Sequence, residues 1–397
     1  MLVCRLAEAV LQLRPDMRSF GNPFKFSIEH ANTIERMSQK GISNLKHFKL
    51  DLMYNSAEKY KDFFNKWKDH VIDLKILPEN SQGVPGQFKN LEGLGLLENK
   101  AISNSCDIMK DIINMHSSKL RILSIKLSDD FNVEDCNNLP SLESLYLHCY
   151  NTSPSVLQKP VLQTRCQSIS ALTLSGNIGF DSISVADLRM SNLKQLRIFD
   201  SPKALNVLHA NAEQLKILSI NAEDIKWYNV EPEGYPEHLP KLKMFHCRYT
   251  NDRNITVIPP IMAASAGSLE HLVLNCVMYA SETSNSYYLA GDLGKMEKLT
   301  DFVFDHEADM TDDVIEESAD TLELITVGTN DTASPLRLPQ NMNKLKEIIF
   351  THNRAETPVV CQPHIKQSYP NVKLKVERAD SQAEYVNTFM KKHGFKK

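Results

Sequence analysis

A short phrase returns along the whole of this 397-residue chain: a leucine, two residues, an apolar residue, one residue, an apolar residue. It predicts an α/β fold, a leucine-rich repeat solenoid with curved parallel β-strands on the concave face and helices and turns on the convex face. Three observations carry that prediction. The phrase recurs at a narrow range of spacings, its flanks alternate polar with apolar, and the longer intervals between copies read as amphipathic helices.

The phrase begins at Leu45, Val71, Leu91, Leu120, Leu142, Ile169, Leu193, Leu215, Leu242, Leu269, Leu299, Leu322, Leu345 and Tyr369. Successive copies lie about 20 to about 30 residues apart, as expected of such repeats. The fourth position is always apolar, from Phe48 and Leu74 through Leu145 to Ile348 and Val372. So is the sixth, from Leu50 through Leu147 to Phe350 and Leu374. Three apolar positions alone match by chance in roughly 7% of registers, so the flanks carry the weight. A polar residue precedes the leucine and a charged one follows in Asn90-Leu91-Glu92, Lys119-Leu120-Arg121, Gln214-Leu215-Lys216, Ser268-Leu269-Glu270 and Thr321-Leu322-Glu323. Val71, Ile169 and Tyr369 lack that flank.

Side chains alternate along a strand, so positions four and six point inward together and positions five and seven point to the concave face. The return segments are expected to be helical where they are long. Residues 102–115 place Ile108, Met109, Ile112 and Ile113 on one stripe, and residues 56–68 do the same with Tyr60, Phe63, Phe64 and Trp67. Ser201-Pro202 opens a third helix with Leu205 and Leu208 inward. About 13 to 14 repeats over 41–378 result, preceded by an N-terminal helical cap at 1–40 and followed by a basic C-terminal tail at 379–397 that is helical from Ser381 to His393.

Composition narrows the function classes. No apolar run reaches the roughly 18 residues of a membrane span, and Arg5 and Glu8 interrupt the apolar start where a signal peptide would be continuous. The eight cysteines are scattered without a Cys-x-x-Cys pair, as buried free thiols are. A cytoplasmic or nuclear protein is expected. Acidic residues crowd between Ser281 and Asp331, and the end of the chain is basic. No basic groove interleaved with aromatics occurs, so neither nucleic acid nor membrane is an expected partner.

The first residues carry a separate signal. Leu2-Val3-Cys4-Arg5-Leu6-Ala7-Glu8-Ala9-Val10 resembles the last helix of an F-box, and Arg14-Pro15 and then the repeats follow. That order resembles an F-box/leucine-rich-repeat protein. The resemblance implies the substrate-recognition subunit of a cullin-type ubiquitin ligase, an SCF complex, with a Skp-type adaptor and a cullin as partners if a complete F-box exists. The family's first two F-box helices and its Leu-Pro entry motif do not occur here, and Leu6 or Ala7 stands where the family has an aromatic. A chain without those helices is expected not to grip the adaptor, although its repeats still bind a substrate. The alternative at this stage is a helix that only caps the first coil, on a cytosolic scaffold or inhibitor unrelated to ubiquitin.

No catalytic constellation emerges, and no enzyme activity, cofactor or metal is expected. Gly93-Leu94-Gly95-Leu96-Leu97-Glu98 begins like a dinucleotide loop but ends in Glu98, with Leu94 and Leu96 at core positions. Gly291-Asp292-Leu293-Gly294-Lys295-Met296 lacks the glycine and the hydroxyl of a phosphate loop. In His148-Cys149 and His246-Cys247 adjacent residues face opposite ways, which argues against a shared metal. What remains is recognition of a protein. Positions five and seven carry Tyr146 and His148, Arg197 and Phe199, and His246 and Arg248, and these six form the candidate protein-binding face. Lys126, Asn221, Asn275 and Asp305 continue the row.

Overall fold

A computed structural model describes residues 26–27, 48–52, 65–66, 68–76, 88–97, 105–127, 139–149, 168–176, 188–199, 201, 204–222, 234–250, 257–277, 293–304, 309–329, 336, 338–352, 362–378 and 382–394. The N-terminal resemblance and the residue 56–64 part of the second expected helix lie outside them. The chain divides into two compact units. One holds Met1–Ile169 with Gly176–Gly179, and the other holds Ser170–Ser175 with Phe180–Lys397.

The N-terminal unit carries strands β1 (Phe26–Ser27), β2 (Phe48–Leu52), β3 (Val71–Ile76), β4 (Gly93–Leu97), β5 (Ile122–Leu127) and β6 (Ser144–Cys149), and helix α1 (Ser105–His116). The C-terminal unit carries β7 (Ala171–Gly176, all but its last residue), β8 (Gln195–Phe199), β9 (Ile217–Ala222), β10 (Met244–Thr250), β11 (His271–Val277), β12 (Asp301–Phe304), β13 (Leu324–Thr329), β14 (Glu347–His352) and β15 (Lys373–Arg378). Its helices are α2 (Leu205–Asn211), α3 (Ile258–Ser265), α4 (Asp309–Glu317), α5 (Gln362–Ser368) and α6 (Gln382–Lys392). Within each unit every strand pairs in parallel with the next in sequence. This is the α/β leucine-rich-repeat architecture.

Register follows the phrase through the middle of the chain. Leu74 pairs with Leu94, Leu94 with Leu123, and Leu123 with Leu145. In the second unit the fourth positions run Leu172, Leu196, Leu218, Phe245, Leu272, Phe302, Ile325 and Ile348, each paired with the next. These rungs and the sixth positions beside them are buried, with Leu145 3% exposed and Leu147 0%. Burying one such side chain stabilises by roughly 1.5–3 kcal/mol.

The two outermost copies are corrected. Leu50, not Phe48, pairs with Leu74, and a register irregularity falls between Phe48 and Lys49. Leu374, not Val372, pairs with Ile348. The phrases assigned to Leu45 and Tyr369 are therefore shifted by two residues. A slip of two preserves the alternation of faces, so the sequence pattern is blind to it and the neighbouring coil decides. Ahead of them β1 pairs Phe26 with Leu50, a strand within the stretch read from sequence as a helical cap.

The polar flanks acquire a physical reason. The carbonyl of the residue after the leucine accepts two backbone N–H bonds from the next coil. Glu92 O takes Arg121 and Ile122, Lys216 O takes Lys243 and Met244, and Glu323 O takes Lys346 and Glu347. The side chains at that position stand in file, so Arg121 bridges Glu92 and Glu143, Lys243 meets Glu270, and Lys346 meets Glu323. The polar residue before the leucine bonds a carbonyl of the preceding coil. Ser141 Oγ donates to Ser118 O, Ser268 Oγ to Leu239 O and Thr321 Oγ1 to Met296 O. Unpaired backbone carbonyls at coil corners are costly, and these hydroxyls satisfy them.

A further regularity escaped the sequence reading. Four residues before the leucine, at the end of a return helix, stand His116, Asn211, Ser265 and Ser318, all buried. Each bonds the carbonyl of its own preceding helical turn, at Ile112, Val207, Ile261 and Val314 respectively. His116 Nε2 also takes the N–H of Phe88, and Asn211 Oδ1 that of Met190. The helix ends of α1 to α4 are thus tied by a recurrent buried polar side chain. Prolines 259 and 260 sit in the first turn of α3, where no helical hydrogen bond is lost.

Candidate protein-recognition faces

Positions three, five and seven of each strand share the face opposite the aliphatic rungs. In the N-terminal unit this face is built from Asp73 and Lys75 on β3, Gly93 and Gly95 on β4, Ile122 and Ser124 on β5, and Ser144, Tyr146 and His148 on β6. The two glycines leave a strip of bare backbone over which neighbouring side chains lean. A Cβ on Gly93 would stand 3.0 Å from the Asp73 carboxylate, and one on Gly95 would stand 3.0 Å from Lys75 Cγ. Beside the strip Ile122 is 47% exposed and Tyr146 37%, while His148 is half-buried. Apolar side chains this open on a sheet face are what a recognition surface offers.

The same face of the C-terminal unit is organised differently. Arg197 on β8 lies with its guanidinium carbon 5.0 Å from the centre of the Phe199 ring, a cation–π contact that orients both half-buried side chains. Arg248 on β10 is exposed. His246 is not. Its Nε2 donates to Asn275 Oδ1 at 3.1 Å, and its Nδ1 accepts from Ser219 Oγ at 2.8 Å. Burial lowers its pKa to about 4, against the hydrogen bond it donates to Asn275, and the charges of Arg197 and Arg248 add to the lowering. The imidazole is therefore neutral at pH 7, as an acceptor and a donor at once. Ser219 is 2% exposed and Asn275 8%, so this serine–histidine–asparagine row across β9, β10 and β11 spends its polarity internally and pins the register of three strands. Behind it Cys247 is a fully buried free thiol whose pKa burial pushes up.

Helix α6 covers the next part of the face. Its residues Val386, Phe389 and Met390 pack on Met244, Val273 and Val303, with Ile217 and Leu324 at the margins. The supporting residues come from positions three and five of β9 to β13, the side expected from sequence to stand open. Helix α6 exposes Lys391 and Lys392 on the side away from the sheet. Its end is held by rings. The centre of His393 lies 4.0 Å from that of His271 and 4.4 Å from that of Phe389. His271 Nδ1 contacts Asp301 Oδ2 at 2.7 Å, and Thr300 Oγ1 donates to the same oxygen at 2.8 Å. Burial alone would raise the Asp301 pKa, but those hydrogen bonds and the nearby imidazoles hold it below the ordinary carboxylate value. Burial, and then His271, lowers that of His393. Gly394 ends the helix with φ of 90°, a conformation open to glycine.

The six residues expected from sequence therefore divide. Tyr146 and His148 belong to the N-terminal unit, with Tyr146 exposed; Arg197, Phe199, His246 and Arg248 belong to the C-terminal one. Of the residues extending the row, Asn275 is engaged with His246, and the side chains of Lys126 and Asp305 lie outside the described residues. Along the coil corners of the N-terminal unit a polar cavity of about 350 Å³ is lined by Lys89, Glu92, Ser118, Lys119 and Arg121. Two of its cations are already engaged, Arg121 with two glutamates and Lys119 with the Lys89 carbonyl. Among the described residues no group of three or more histidine, cysteine or acidic side chains could hold a metal ion, and no helix is long and apolar enough to cross a membrane.

No protein-family profile matches the chain, and no curated protein matches it. Among solved structures the chain is similar to a chain of the yeast Rad7–Elc1 complex, at 14% identity and a TM-score of 0.40, over 97% of this chain and 92% of that one.

Proposed function

We propose that this chain is a non-catalytic protein-recognition module that captures its partner on the odd-position face of its repeats. The observation that carries the reading is the parallel register itself. It brings positions five and seven of successive coils onto one surface, with Arg197 stacked on Phe199 and Arg248 exposed two strands away. Arginine and aromatic side chains dominate binding hot spots because they bury area while keeping directional polar contacts. A solenoid also spends its core on neighbour contacts, which leaves an extended face for a partner.

The finer reading is a substrate receptor of a cullin-type ubiquitin ligase. It is supported by Leu2-Val3-Cys4-Arg5 ahead of the repeats, the order of the F-box/leucine-rich-repeat family. The test has two arms. Affinity capture followed by mass spectrometry asks whether a cullin and its Skp-type adaptor co-purify; their absence would favour a scaffold. Arg197→Glu with Arg248→Glu is expected to abolish capture of the protein partner and shift the melting temperature by no more than about 2 °C. Capture that survives both changes would refute the face.

A further inference from the structure

We propose that α6 is a tethered ligand. The odd face of β10, β11 and β12 is a receptor for an amphipathic helix, and a partner helix with the same apolar spacing takes that seat when α6 leaves it. The proposal rests on the recognition reading above and names the chemistry of one partner class.

The first support is what α6 shows about fit. Val386, Phe389 and Met390 stand at i, i+3 and i+4, one stripe of a helix, and insert against Met244, Val273 and Val303 on three successive strands. Helix-in-groove recognition reads such anchors. Three residues separate β15 from α6, yet the helix reaches Met244 on β10, five strands away. Five strand spacings are about 24 Å and an eleven-residue helix is about 16 Å long, so α6 lies across the strands. A helix in that direction pairs with no strand edge, and its apolar stripe and its terminal ring meet the sheet through side chains.

The second support is that the sheet is complete without it. The aliphatic rungs on the other face bury themselves against their own coils, and the strands satisfy one another's backbone bonds. The third is an imperfect fit. The Nε2 of His393 is buried without a hydrogen-bond partner, although Asp301 and His271 stand beside it. A buried ring nitrogen left unpaired costs desolvation, so docking α6 strains the very end that holds it. A partner helix presenting lysine or arginine at that point would meet Asp301 with a charge-assisted hydrogen bond.

The experiment uses the full chain and a fluorescein-labelled synthetic peptide of residues 379–397. Phe389→Asp with Met390→Asp should undock α6, and this variant is expected to bind the peptide at least tenfold more tightly than the unaltered chain, whose seat is filled. Adding Val273→Asp should return binding to the level of the unaltered chain. Equal binding by the unaltered chain and the undocked variant, with the circular dichroism spectrum retained, overturns the proposal. Hydrogen exchange of the unaltered chain guards against a variant that does not fold. Amides of α6 should exchange at least tenfold faster than those of β10 to β12, and equal rates overturn the proposal as well. A chain that takes the peptide but captures no protein through Arg197 and Arg248 sinks the recognition reading alone. One that captures a protein through them but refuses the peptide sinks only the tethered ligand.

Discussion

The same seven positions build both units, and the two odd faces have opposite characters. In the N-terminal unit the face is small and polar at its centre, with Gly93, Gly95 and Ser124 flanked by exposed Ile122 and Tyr146. In the C-terminal unit the stretch over β10 to β12 is apolar, with Met244, Val273 and Val303 buried under α6 beside the polar Ser219, His246 and Asn275. What differs is not the backbone, whose register is uniform from β3 to β6 and from β7 to β15, but what the odd positions carry. An apolar odd face must be covered, and here the chain covers it with its own last helix.

The largest expected effect comes from placing one charge at one coil position in both units. Val273→Asp buries an unpaired carboxylate beneath α6 and should cost about 3 kcal/mol or more in urea unfolding. Ser124→Asp, at the matching fifth position of β5, should cost less than about 1 kcal/mol. Equal costs would mean that the two faces do not differ as described.

Acid sharpens the comparison. Docked His393 has a lowered pKa, so the released helix binds a proton more readily than the docked one. Docking is at full strength above the ordinary histidine value of about 6.5 and weakens as pH falls through it towards the lowered docked value. The groups facing His393 are His271, Asp301 and Lys392. Exchange of α6 amides, corrected for intrinsic rates, should accelerate between pH 7.5 and 5.5, and His393→Gln should remove most of that acceleration. His116, at the end of α1, is likewise lowered by burial, so acid should loosen that helix end too, and His393→Gln should leave this response untouched.

The smallest effect belongs to the corner ladder. Arg121 bridges two glutamates, but its side chain is 50% exposed and water screens the pair. Arg121→Ala should change unfolding free energy by less than about 1 kcal/mol, and a larger loss would show that the ladder locks the coils.

The repeat was legible because its signal is redundant. Val71 and Ile169 lack the polar flank, yet the fourth positions of their copies pair with those of the next, Leu74 with Leu94 and Leu172 with Leu196. The end copies have a neighbour to correct them on one side in the phrase as read, and there the sequence pattern slipped by two. The buried polar residues at His116, Asn211, Ser265 and Ser318 were legible in principle. Stacking these four copies on the leucine puts a polar residue four places ahead of it in each. Exposure on the candidate face was legible in part. Tyr146 and Arg248 are exposed as alternation requires, while His246 is half-buried between Ser219 and Asn275, a pairing across strands that position in the phrase does not encode.

Sequence by itself determined the coil: which residues turn inward, how far apart the strands start, and why polar residues flank each leucine. These are local properties of alternation and of backbone carbonyls that need partners. Only the tertiary structure decided which odd-position surface stays open. Covering Val273 and Val303 with Phe389 joins residues about a hundred positions apart, and no periodicity within the repeats encodes a contact with a helix beyond them.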